Sequence, residues 1–138
     1  MAGVRRRARE LALQALYEID SVGHDKKKIL EYALSDDRIS QENKDFIREL
    51  VSGVLQNKER IDTYIKKFAP AWPVEQIAII DRNILRLAIF EILLNNKVPV
   101  KVAINEAVEL AKTFGSDNSP KFVNGVLGSV SALVSSNN

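Results

Sequence analysis

The amino-acid sequence predicts an all-α protein, and three features support this prediction. Apolar residues recur at three- and four-residue spacing through most of the 138-residue chain, as they do on one face of a helix. Prolines and short polar stretches interrupt this pattern at intervals that suit helices of about 8–20 residues. No stretch alternates apolar and polar residues as a half-buried strand does. We therefore expect one domain over residues 1–138, built from about seven helices.

Four helices are predicted in the first half of the chain. The stretch "VRRRARELALQALYEID" forms the first helix, and a short second helix covers residues 29–34. The third begins after Ser40, a suitable N-cap, and has an apolar stripe at every fourth position. The fourth ends before Pro70, because proline cannot continue a helix.

Three more helices follow the segment "PAWPVEQ", where Pro73 suits the first turn of the next one. The stretch "IAIIDRNILRLAIFEILL" is apolar on nearly all sides, which is typical of the central helix of a bundle. "VKVAINEAVELAKTF" forms the next helix, with Gly115 in the C-cap position. Ser119 and Pro120 then suit the N-cap and first turn of the last helix. Gly125 and Gly128 are costly inside that helix, so we expect a neighbouring helix to approach them closely.

Composition excludes several classes of protein. Cysteine is absent, which excludes disulfides and thiolate metal sites. Charged residues interrupt the longest apolar stretch, so a membrane span is not expected. The N-terminal arginines lack the apolar segment of a secretory signal. These features predict a cytoplasmic, soluble protein without membrane association.

Residues suited to catalysis are scarce. His24 is the only histidine and lies in a polar loop, where we interpret it as a solvated bystander. No glycine-rich phosphate loop is present. Glu106 and Glu109 lie one helical turn apart but lack the histidine, or the second carboxylate pair, of a bundle metal site. The sequence therefore predicts no enzymatic activity, no metal and no cofactor.

Basic residues are concentrated at the N-terminus. Residues 1–10 carry a net charge of +3, whereas the remaining residues, with 16 basic and 17 acidic side chains, carry −1. Arg5, Arg6, Arg7 and Arg9 stand near the start of a helix, where positive charge is disfavoured. Three interpretations are open: a solvated helix end, a membrane-surface helix, or an RNA contact. The alanine-rich apolar face lacks the aromatic anchors of a membrane helix, and guanidinium groups suit phosphates and bases.

A second candidate site is "SDNSPKFVN". Lys121 and Phe122 stand at a helix start, where free N–H groups also attract phosphate. Phe122 is either a core residue or a platform that stacks on an unpaired base, a contact worth about 1–3 kcal/mol. Lys101 and Lys112 either extend the basic patch or are solvated surface lysines.

Three motifs taken together resemble the NusB family of bacterial transcription antitermination factors: "RRRARELALQALYE", "DRNILRLAIFE" and "VPVKVAINEAVELAKTFGSDNSPKFVNGVL". The resemblance implies an all-helical fold of two packed subbundles and a role without catalysis. It also implies binding of boxA, a single-stranded element of ribosomal RNA transcripts, together with NusE, a protein of the small ribosomal subunit. The complex would join elongating RNA polymerase and suppress termination.

The resemblance also assigns expected contacts. It places the four arginines, Lys121 and Phe122 at RNA, and Phe68 and Asp81 at NusE. Asn118 replaces an acid found in some members, which is expected to favour the approach of phosphate. We further expect RNA phosphates to neutralise the arginines, and the first helical turn to be loose without RNA. Two alternatives remain open, a helical protein-interaction module without RNA specificity and an enzyme of unknown type.

Overall fold

A computed structural model describes residues 2–23 and 25–136, with side chains for 5–23 and 25–134. Within this range the chain forms helices and no strand, which confirms the all-α prediction. His24 lies outside the described residues. Seven α-helices follow one another: α1 (Ala2–Val22), α2 (Lys26–Ala33), α3 (Gln41–Gln56), α4 (Lys58–Phe68), α5 (Ile79–Ile89), α6 (Val100–Phe114) and α7 (Ser119–Ser136).

Local signals fix most helix ends. The Ser40 hydroxyl accepts the Asn43 N–H at 3.1 Å and caps α3, as predicted. Helix α4 ends at Phe68, two residues before Pro70. Gly115 is the C-cap of α6, and its N–H donates to the Ala111 carbonyl at 2.9 Å. These three predictions are confirmed.

Helix α5 is the centre of the fold. It packs against five other helices, α1, α3, α4, α6 and α7. Every residue from 83 to 90 is buried, which confirms the prediction of a central helix. Helices α1, α2 and α3 form one subbundle and α4 to α7 the second, and α5 joins them.

The central helix differs from the expected single α-helix in its last turn. Residues Phe90–Asn95 form a π-helical segment, which Asn96 ends with a left-handed φ of 53°. The Phe90 ring occupies the space that a Cβ atom at Gly53 of α3 would need. This close approach requires glycine at position 53, a requirement that the sequence analysis missed.

Three local expectations are wrong. Pro73 precedes a short 3-10 turn (Val74–Gln76), and α5 begins only at Ile79. The Ser119 hydroxyl does not bond as an N-cap, because it accepts the Ser116 N–H and donates to Asp81. Gly125 and Gly128 are exposed, and a Cβ atom at either would meet open space. No neighbouring helix therefore explains these two glycines.

A network of buried charges ties α1 to α4 and α5. Asp20 of α1 accepts from Arg82 Nε at 2.7 Å and from Arg86 Nη1 at 3.0 Å, and Arg86 Nε also donates to Asp62 at 2.8 Å. Burial by itself raises the pKa of Asp20, but hydrogen bonds from Arg82 and Asn83 and the two positive charges outweigh burial. The pKa of Asp20 therefore lies well below its usual value.

None of the helices in the described part of the chain is long and apolar enough to cross a membrane.

Candidate nucleic-acid interface

Three of the four N-terminal arginines lie at the surface, each beside a carboxylate. Arg6 donates through Nε and Nη2 to both carboxylate oxygens of Glu106, at 3.0 and 3.1 Å. Arg7 Nη1 donates to Glu10 at 3.2 Å, one turn away on α1. Their side chains are 44% and 60% exposed, so a ligand can still reach both guanidinium groups. The hydrogen bond and the charge of Glu106 raise the pKa of Arg6.

Arg5 lies against α3. Its guanidinium carbon stands 4.1 Å above the centre of the Phe46 ring, and Nη1 donates to Asn43 at 3.1 Å. Nη2 donates to Glu42 at 3.3 Å. A guanidinium plane held on an aromatic ring is a rigid surface on which a further planar group can stack.

Arg9 points into the protein. Its Nε and Nη2 atoms each donate to Glu91 at 2.9 Å, and both side chains are only 4% exposed. Glu91 belongs to the π-helical segment, and its carboxylate meets Arg9 between α1 and α5. The expectation that Arg9 is a surface contact for RNA is therefore corrected: its guanidinium is withdrawn from solvent, where it holds two elements of the fold together.

The charge of the arginines is offset inside the protein. Four carboxylates from four elements of the fold face the four guanidinium groups, so RNA is not required to neutralise them. The helix dipole acts mainly on charges in the first turn. Helix α1 begins at Ala2, so most of the arginines lie beyond that turn. The expectation that the arginines are tolerated because RNA phosphates neutralise them is therefore corrected: carboxylates of the protein itself already pair with them.

The start of α7 is held by a polar clamp. Ser119 Oγ donates to Asp81 Oδ1 at 2.6 Å and accepts the Ser116 N–H at 2.9 Å. Asp81 is 9% exposed, so its carboxylate does not project from the surface as a contact for NusE was expected to do. The clamp fixes the first turn of α7 on α5 and thereby sets the positions of Lys121 and Phe122.

A groove of about 320 Å³ opens beside this clamp. It brings together two groups that the sequence analysis kept apart, Asp81 from the expected NusE surface and Asn118 and Phe122 from the expected RNA surface. Phe122 is half-buried and packs on the core with part of its ring. Trp72 also lines the groove, and sequence reasoning missed it. Its signal was an aromatic residue between two prolines, with no helix there to bury it.

The remaining predicted residues are dispersed. Lys101 lies exposed in the first turn of α6, and Lys112 lies exposed near its end, where it donates to Glu109 at 3.2 Å. Eleven residues separate them, about 16 Å of helix at ~1.5 Å per residue, so they do not form one patch. Phe68 is half-buried at the end of α4, with Lys67 Nζ 5.4 Å from the ring centre. Nowhere in the described ranges do three acidic or histidine side chains come together as metal ligands would.

Comparisons with known proteins assign the family. Residues 6–132 match the family model described as NusB family. The chain is 56% identical over 131 residues to the transcription antitermination protein NusB of Dehalococcoides mccartyi strain CBDB1, covering 95% of this chain and 92% of the relative. It is 46% identical to that of Bacillus pumilus, covering 91% and 93%. These relatives are named for antitermination and not for a catalysed reaction, in agreement with the prediction that the chain is not an enzyme.

Solved structures agree with the sequence matches. NusB from T. maritima superposes with a TM-score of 0.85 at 35% identity, covering 91% of this chain and 89% of that one. A crystal structure of the antitermination factors NusB and NusE in complex with double-stranded RNA gives a TM-score of 0.84 at 25% identity, covering 94% and 97%. On the family model, the identities and the shared fold, the chain belongs to the NusB family of transcription antitermination factors.

Proposed function

We propose that the protein binds the boxA element of ribosomal RNA transcripts together with NusE and joins elongating RNA polymerase to suppress termination. Family membership supports this function, and so does the similar fold of the NusB–NusE complex with RNA. The function requires no bond chemistry and is carried out in the cytoplasm, where transcripts are made. Its mechanism is assembly: the protein recognises RNA and NusE jointly, through separate surfaces.

One observation carries the proposal: helix α6 joins the two candidate RNA sites. Arg6 lies on Glu106 in the middle of α6, and α6 ends at Phe114, shortly before Lys121 and Phe122. The eight residue steps from 106 to 114 span about 12 Å at ~1.5 Å per residue, a length that a few nucleotides of single strand cover. RNA bound along α6 would meet cations at both ends of this path, and an aromatic ring at the end near Phe122.

The arginines have different roles in this proposal. Arg6 uses Nε and Nη2 for Glu106, so Nη1 is the atom that we assign to a phosphate. Arg5 on Phe46 offers a stacking surface, and Arg7 a second exposed guanidinium. We leave Arg9 out of the RNA contacts because it is buried on Glu91.

The salt dependence of RNA binding tests the phosphate contacts. Each phosphate contact to a single strand contributes about −0.7 to the slope of log K against log salt. With Arg9 buried and Arg5 assigned to stacking, three cations remain for phosphate. These are Arg6, Arg7 and Lys121, and together they predict a slope of roughly −2. Arg7→Ala should reduce the slope by about 0.7. Arg48→Ala is the matched control, because Arg48 is also half-exposed and also pairs with a carboxylate one turn away, Asp45. A slope near zero, or equal losses in both variants, would contradict the proposal.

Stacking on Phe122 is tested separately. Phe122→Ala should weaken boxA binding by about tenfold, since stacking on an aromatic side chain is worth ~1–3 kcal/mol per base. The urea midpoint of the variant shows whether its fold is intact. If the variant unfolds more easily and keeps its affinity for RNA, Phe122 is only a core residue.

We assign Phe68 and the region around Asp81 to the NusE surface. Phe68→Ala should weaken capture of NusE and leave binding of boxA alone unchanged, as measured with labelled RNA and purified NusE. Readthrough of a terminator by RNA polymerase, with and without the protein, tests the last step. Loss of boxA binding together with loss of NusE binding would show that the two surfaces are not separate.

The internal pairing of the arginines favours the alternative of a protein-interaction module without RNA specificity. Titration of labelled boxA and of a scrambled RNA at one salt concentration separates the two functions. Equal affinity for both RNAs, with NusE binding retained, would support the module.

A further inference from the structure

Trp72 is the only tryptophan in the chain, and it is 58% exposed. Exposure of so large an apolar side chain forgoes the hydrophobic stabilisation that burial would give. The chain forms a local hydrogen-bonded turn on either side of it. Before it, the Ala69 N–H donates to the Ile65 carbonyl at 2.8 Å, and after it the Gln76 N–H donates to the Pro73 carbonyl at 2.9 Å. Trp72 therefore lies at the surface between two hydrogen-bonded turns.

Aromatic and amide side chains line the groove beside Trp72, together with Asp81, whose carboxylate accepts from Ser119. Trp72 and Phe122 supply aromatic rings from two separate elements, the segment before α5 and the first turn of α7. Gln76 and Asn118 supply exposed amide groups, each with both donors and acceptors. Lys121, exposed next to Phe122, adds a positive charge at the same helix start.

This combination matches an unpaired nucleobase. A base offers two π faces for the rings, donors and acceptors at its edge for the amides, and a phosphate for the lysine. An apolar side chain from a protein would instead leave the two amides without partners, which is unfavourable. The groove volume of about 320 Å³ is at the small end of ligand pockets, as one base requires.

We propose that Trp72 and Phe122 form a base-binding groove that holds one unpaired base of the bound RNA, with Lys121 on its phosphate. The proposal rests on the proposed RNA-binding function and extends it to a residue outside the arginine cluster and the start of α7. It makes Trp72 a contact for the base and not for the backbone.

Fluorescence of Trp72 reads this groove directly, because no other tryptophan contributes. Titration of the full chain with boxA RNA should quench the emission, and the quenching should follow the same binding curve as labelled RNA. RNAs with a single abasic nucleotide, placed at each position in turn, should identify one position whose removal abolishes the quenching. Quenching that is independent of every base would overturn the proposal.

Variants of Trp72 distinguish a stacking contact with RNA from a role in stabilising the fold. Trp72→Ala should weaken boxA binding by about tenfold without changing the salt slope, and Trp72→Phe should restore most of the affinity. Tyr32→Ala is the matched control, because Tyr32 is 82% exposed on α2 and does not line the groove. Since Trp72 is exposed, all three variants should keep the urea midpoint of the parent. Equal affinity in Trp72→Ala and the parent would overturn the proposal.

The outcomes also separate this inference from the function on which it rests. If the parent binds boxA with a steep salt slope but shows no quenching, only the base-binding groove is overturned. If the parent does not bind boxA, both proposals are overturned. If NusE alone quenches Trp72 and Trp72→Ala weakens only NusE binding, the groove contacts protein and the inference is wrong.

Discussion

Removing one member of the Arg9–Glu91 pair should destabilise the protein strongly. Both side chains are 4% exposed, and two hydrogen bonds of 2.9 Å join them. Arg9→Met leaves the Glu91 carboxylate buried without its partner, which costs about 3–5 kcal/mol. The total free energy of unfolding of a domain is only ~5–15 kcal/mol. We therefore expect a large fall in the urea midpoint of Arg9→Met, measured by the loss of helical circular dichroism.

The double variant Arg9→Met with Glu91→Leu decides whether burial of charge is the cause. It removes both charges and leaves apolar side chains, so its stability should return to within about 1 kcal/mol of the parent. Its boxA affinity and salt slope should equal those of the parent. Arg6→Met is the contrasting variant: Arg6 is 44% exposed, so its urea midpoint should stay close to that of the parent while the salt slope falls.

Two results would refute this reasoning. If Arg9→Met costs less than about 1 kcal/mol, the pair is not desolvated as described. If the stable double variant loses part of the salt slope, Arg9 contacts a phosphate.

Four further predictions concern single substitutions. Asp20→Asn should lower the free energy of unfolding at neutral pH and make it depend less on pH in acid. The depressed pKa of Asp20 gives the folded state stability that is present above the unfolded pKa of about 4 and is lost as pH falls below it. Urea midpoints between about pH 7 and 3 measure this difference. Gly125→Ala should raise the free energy of unfolding by about 0.5–1 kcal/mol, since its site is open. Gly53→Ala should lower the same quantity by ~1–3 kcal/mol because its site is filled, and equal effects of the two glycine variants would contradict the packing. Glu106→Gln should tighten boxA binding about two- to fivefold by freeing Arg6 from its ion pair, and unchanged affinity would show that Arg6 does not meet phosphate.

Helix positions were predictable where a neighbouring residue decides them. Ser40 and Pro70 act on the backbone within a few residues of themselves, Ser40 through its hydroxyl and Pro70 through its ring, so their effect is visible in sequence. Ser119 has the same local signature as Ser40, but Asp81, 38 positions away, takes its hydroxyl. Gly53 likewise depends on the ring of Phe90, which only the packing of α3 on the central helix brings near.

The candidate site was predictable in composition but not in pairing. The sequence locates the cluster of cations and the aromatic residue at the start of α7. The carboxylates that meet Arg5, Arg6 and Arg9 are 37, 100 and 82 positions away, so spacing does not reveal them. One signal for Arg9 was present: it shares a helical face with Leu13 and Leu16, both fully buried. That face predicts an inward guanidinium.

The pairing of each N-terminal arginine with a carboxylate shapes how the protein meets other polyanions in the cell. Opposite charges about 3 Å apart form local dipoles, and the field of a dipole falls with distance faster than the field of an isolated cation. Ionic screening over roughly 8–10 Å weakens this field further. Long-range steering toward nucleic acid is correspondingly small. Duplex DNA, heparin and polyphosphate, which offer charge without accessible bases, should compete poorly. Selectivity then comes from contacts that form only after encounter, and an abundant background of nonspecific phosphate does not sequester the protein.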